Sequence, residues 1–134
     1  MDVVFKRENG SCPYFTYKNI RFFIKDYPHG NDYVYYLAER DLTEEIITFN
    51  THKEALGYVI NSMDKWPEYK DETEEKYMYT DNKKDYIINK NMLTIRNRAI
   101  RITADYDKYL ECLEYAKKYV SHYIERHEPE QLRL

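Results

Sequence analysis

From Asp105 to His127 apolar side chains recur at intervals of three and four, and this stripe constrains the fold more than any other feature of the chain. Tyr106, Tyr109, Leu110, Leu113, Ala116, Val120, Tyr123 and Ile124 fall on one face of a helix, and Glu111, Glu114, Lys117, Lys118, Glu125 and Arg126 cover the other. At 1.5 Å per residue such a helix spans roughly 33 Å, enough to cross a small domain. An amphipathic helix owes its stability to the packing of its apolar face, so the rest of the chain has to supply a matching surface. His127-Glu128-Pro129 predicts its end, with a frayed Gln131–Leu134 tail beyond.

That surface reads as β-structure. Tyr14, Phe15, Tyr17, Ile20, Phe22, Phe23 and Ile24 are strand formers, turn residues gather at Pro28–Asp32, and Tyr33–Leu37 and Ile46–Phe49 resume the pattern. Strands over 13–49 in an antiparallel meander are the expectation. Thr51 and Glu54 have the spacing of a capping box and predict a helix over 51–65, buried through Ala55, Leu56, Val59, Ile60 and Met63 and ended by Trp66-Pro67. An acidic connector over 66–82 reads as a solvated helix or a loop. Tyr86–Ile88, Met92–Ile95 and Ile100–Ile102 predict strands over 85–103, before the helix over 105–127. The expected class is α+β: a single domain over 1–134, its antiparallel sheet of about five to six strands packed by two helices, the C-terminal one longest. A length of 134 residues fits one domain with its own core.

Composition narrows the chemistry. The two cysteines, Cys12 and Cys112, form neither a disulfide framework nor a zinc pattern. His29, His52, His122 and His127 lack metal spacing, and the five-residue step between the last two puts them on different helix faces. Gly10, Gly30 and Gly57 stand apart, which excludes a glycine-rich phosphate loop. Cys112 sits mid-helix beside Glu111 with no base, so it does not read as a nucleophile. The expectation is a non-enzyme with no cofactor, metal or small-molecule substrate. No apolar run has the length of a membrane span, and the start lacks the apolar centre of a signal peptide, so a cytoplasmic location in a bacterial host cell is expected.

Two charge clusters remain. The connector interleaves carboxylates with rings: Trp66, Glu68, Tyr69, Asp71, Glu72, Glu74, Glu75, Tyr77, Tyr79 and Asp81. Such a field suits a protein partner with a basic nucleic-acid groove, drawn by charge and anchored by desolvated aromatics. The other cluster, Lys83, Lys84, Arg96, Arg98 and Arg101, suits phosphate contacts from a β-hairpin, or pairing with the carboxylates before it. A net charge of −3 weighs against a dedicated nucleic-acid binder.

The order of three strands and a helix beginning at Phe49-Asn50-Thr51-His52-Lys53-Glu54-Ala55 resembles the arm-type and AP2-like DNA-binding modules of mobile-element integrases. Asp26, Asp32, Glu39 and Asp41 dilute the basic face those modules present. The same step, with Glu54-Ala55, looks like one in small phage-encoded anti-CRISPR proteins, as do the short length, the acidity and the scarcity of glycine. This second resemblance implies a non-catalytic inhibitor of a nucleic-acid-handling bacterial defence enzyme, competing with nucleic acid as a DNA mimic. The alternatives are a small DNA-binding accessory protein of a mobile element and a toxin immunity protein.

Overall fold

The computed structural model describes residues 2–128, so the Gln131–Leu134 tail lies outside it. In chain order the elements are β1 (Tyr14–Tyr17), β2 (Ile20–His29), β3 (Asp32–Asp41), β4 (Glu44–Thr48), α1 (His52–Met63), β5 (Tyr69–Asp71), β6 (Lys76–Thr80), β7 (Lys84–Asn89), β8 (Met92–Asn97), β9 (Ile100–Arg101) and α2 (Tyr109–His127). The class is α+β with the C-terminal helix longest. The strands divide into two sheets, ordered β1-β2-β3-β9 and β4-β8-β7-β6-β5, and each sheet carries its own helix. They belong to two compact units, one formed by Asp41–Arg98 and the other by the segments before and after it.

In the outer unit, Lys18 and Asn19 take positive φ of 45° and 67°, a two-residue hairpin turn whose twist matches the strands it joins. Alternation along β2 sends Phe22 and Ile24 to one side, where they meet Leu37 of β3 and Cys112, Ala116, Val120 and Ile124 of α2. Tyr119 and Tyr123 pack edge-on to Phe22 at 6.1 and 5.2 Å between centroids. The helical stripe therefore lands on the sheet as its spacing requires, with two changes. Leu110 is 68% exposed, and Cys112 occupies the buried position instead. The helix also starts at Tyr109 rather than 105, because Tyr106 forms a β-bridge with Tyr35 and the Asp105 carboxylate accepts from Arg101.

In the inner unit Thr51 caps α1 through its side-chain oxygen, which accepts from the Glu54 backbone N–H at 3.1 Å. Ala55 and Val59 seat the helix on Tyr79, Ile88, Leu93 and Ile95, while Ile60 of the expected stripe is 38% exposed. The connector is neither helix nor open loop. It folds as the β5–β6 hairpin, paired Tyr69 to Met78 and Asp71 to Lys76. Its physical reason lies in the period-two tyrosines: Tyr77 and Tyr79 point to the helix side, and burying two rings outweighs the solvation preference of the carboxylates, which collect at the turn. Among the described residues no helix is long and apolar enough to cross a membrane.

Candidate functional site

The hairpin sorts the sequence-predicted partner-binding residues onto different surfaces. Tyr79 is fully buried and Tyr77 half-buried, its ring stacked on His52 at 5.4 Å, so both belong to the core of the unit and leave the candidate surface. Trp66 is 82% exposed and Tyr69 54%. Glu72, Glu74 and Glu75 stand at the turn, all exposed.

These carboxylates differ in how far they are committed. Glu68 pairs with Lys65 at 3.3 Å and Glu72 with Lys70 at 2.7 Å. The hydrogen bond to Glu72 is the main reason the Lys70 ammonium titrates above its ordinary range. Glu75 lies 3.6 Å from the His52 ring, and Asp71 accepts from the Glu74 backbone N–H. Asp81 is a turn residue: it accepts from the backbone N–H groups of Lys83 and Lys84 at 2.7 and 2.6 Å, which hold its carboxyl below the usual carboxylate range. Exposed pairs of this kind contribute little and exchange readily with a partner's charges. Asp81 is a structural turn, whereas the hairpin tip keeps its negative field, and the Glu74 carboxylate has no side-chain partner among the described residues.

The basic cluster is divided between the two units, with Lys83, Lys84, Arg96 and Arg98 in one and Arg101 in the other. Asp85 binds both Arg96 at 3.3 Å and Arg98 at 3.7 Å. Lys83 and Lys84 lie at the β6–β7 turn, and Arg101 belongs to the other sheet, where it pairs with Asp105 at 2.9 Å. Asp85 thus engages two of the five and Asp105 a third, and Lys83 and Lys84 have no carboxylate within ion-pair distance among the described residues.

One feature of the site was not anticipated. On the helix-free face of the inner sheet, the pairs Ile46–Thr94, Thr94–Ile87, Ile87–Met78 and Met78–Tyr69 form a continuous row across all five strands. Ile46 at 58% and Tyr69 at 54% exposed mark its two ends, and Met92, 41% exposed, lies on the same face. The alternation in Met78-Tyr79-Thr80 and Ile87-Ile88 held the clue, but only strand register joins residues from five strands into one row. Among the described residues no group of His, Cys, Asp and Glu is placed to hold a metal. Cys112 is enclosed, and burial pushes its thiol up to about 11, the opposite of an activated nucleophile.

No family model, curated protein or solved structure matches the chain.

Proposed function

We propose that the protein is a non-catalytic inhibitor that occupies the basic nucleic-acid groove of a bacterial defence enzyme. The contact runs through the helix-free side and tip of the β5–β6 hairpin. Tyr69 and the apolar row behind it supply desolvated area, Trp66 supplies a second ring, and Glu72, Glu74 and Glu75 supply the charge that imitates phosphates. The observation that carries this reading is the exposure of Trp66 and Tyr69, 82% and 54%, in the segment that leads to a cluster of surface carboxylates. Large rings left in water beside like charges stabilise nothing in the free chain, and both gain on meeting a cationic, partly apolar surface.

The test is affinity capture from bacterial lysate with the wild-type chain and with the Glu72→Lys/Glu74→Lys/Glu75→Lys variant. Capture of a nucleic-acid-binding protein by the wild type, its displacement by added DNA and its loss from the reversed variant are expected. Equal capture by both proteins removes the proposal. An immunity protein would use the same surface against a toxin nuclease, and the identity of the captured protein separates the two.

A further inference from the structure

The outer unit holds a second surface with the opposite character. Because Phe22, Ile24 and Leu37 face α2, alternation sends Arg21, Phe23, Lys25 and Tyr27 of β2 and Tyr36 of β3 to the helix-free side. Tyr14 of β1 joins them, directly opposite Phe23, and Arg101 of β9 joins them opposite Ala38. Rings and cations interleave there across four strands. The Arg21 guanidinium lies 4.5 Å over the Tyr14 ring, Lys25 Nζ 5.3 Å from the Phe23 centroid and the Arg101 guanidinium 3.8 Å over Tyr36, with Tyr27 edge-on to Tyr36 at 6.0 Å.

Charge decides what such a face attracts. Two carboxylates touch its rings: Glu8 accepts from the Tyr14 hydroxyl, and Asp105 accepts from the Tyr27 hydroxyl and from Arg101, which it neutralises. Arg21 and Lys25 have no carboxylate within ion-pair distance among the described residues. Arg21 and Lys25 are therefore unneutralised cations fixed against half-buried rings, an arrangement that complements a polyanion with flat apolar groups.

We infer that the helix-free face of the β1-β2-β3-β9 sheet is a platform for single-stranded nucleic acid. Phe23, Tyr27 and Tyr36 would stack unpaired bases, and Arg21 and Lys25 would contact the phosphates between them. A duplex keeps its bases stacked inside and offers the rings nothing, so the face favours single strands. The inference is independent of the hairpin proposal, since it uses another unit and another charge.

Fluorescence anisotropy tests it, with labelled oligo(dT) and oligo(rU) of about 16 nucleotides, a site size within the range of single-strand-binding sheets, and a duplex of equal length. Both single strands should bind better than the duplex, with a log–log salt slope of about −1.4 for two phosphate contacts. Arg21→Glu/Lys25→Glu should weaken binding at least about tenfold, and Tyr36→Leu at least about fivefold. Lys117→Glu/Lys118→Glu on the exposed side of α2 should bind within about twofold of wild type, and the hairpin reversal Glu72→Lys/Glu74→Lys/Glu75→Lys, which adds positive charge, should bind no more weakly than wild type. Circular dichroism confirms the fold of each variant. Should Tyr36→Leu unfold, quenching of 2-aminopurine in the oligonucleotide on binding to the wild type reports stacking directly. No binding by the wild type, equal affinity for duplex, unchanged affinity in the folded β2 reversal or Tyr36 variant, or absent quenching overturns the inference.

Discussion

One buried phenol oxygen and one half-buried carboxyl expose the compromises made residue by residue. Tyr79 is fully enclosed, and its phenol oxygen has no hydrogen-bond partner among the described residues. A buried hydroxyl that has left water without replacement costs about 1–3 kcal/mol, so Tyr79→Phe should raise stability by about 1 kcal/mol in urea unfolding. A loss of stability would show that the hydroxyl is satisfied in solution. Glu39 shares the helix side of β3 with Leu37, and burial raises its carboxyl above the ordinary value of 4.5. The folded state then favours the protonated form, and that contribution is complete below pH 4.5 and lost as pH rises through the raised value. Glu39→Gln should therefore be more stable than wild type at pH 7 and indistinguishable from it below pH 4.5, as read from urea midpoints across pH. The same charge adds to the burial that raises the Tyr119 phenol, so the variant should also titrate Tyr119 at lower pH.

Helices were more legible than strands, and the reasons are local. Both helices declare themselves through short-range spacing, and the Thr51 cap is a contact between residues three apart. Thr51→Ala should cost about 1 kcal/mol, measured as a lower urea midpoint, while Thr51→Ser should cost little. Strands are defined by partners far along the chain, and a run rich in carboxylates hid the β5–β6 hairpin because Tyr77 and Tyr79 find their neighbours in β7 and α1. Site residues suffered more. The connector did contain exposed rings, Trp66 and Tyr69, but adjacent members of the same run point to opposite sides, and Tyr79 went to the core. In Arg21-Phe22-Phe23-Ile24-Lys25 the cation–ring alternation was present in the sequence, yet the two apolar neighbours that face α2 masked it.

Across the whole molecule, the inner unit interrupts one strand pair of the outer unit. Ala38 pairs with Arg101 and Glu39 with Ile100, so the outer sheet closes across the point where residues 41–98 leave and return. The inner unit brings its own ends together: Glu44 pairs with Arg96, and Asn97 Nδ2 donates to the carbonyls of Asp41 and Thr43 at 3.3 and 3.2 Å. With a separate core around Tyr79, Ile88 and Leu93, the fragment 41–98 should fold when expressed alone, giving a cooperative urea transition by circular dichroism. A fragment that stays random coil would show that its core depends on the flanking segments.

That doubled closure has a kinetic side. β3 leaves the ribosome long before β9, and while the intervening chain is loose the two must find each other across a long tether, at an entropic cost that grows with its length. Once residues 41–98 have condensed, the tether shrinks to a few residues on either side, and the last strand of the outer sheet is delivered almost to its place. Damage to the inner core should then retard assembly of a sheet to which it contributes no strand.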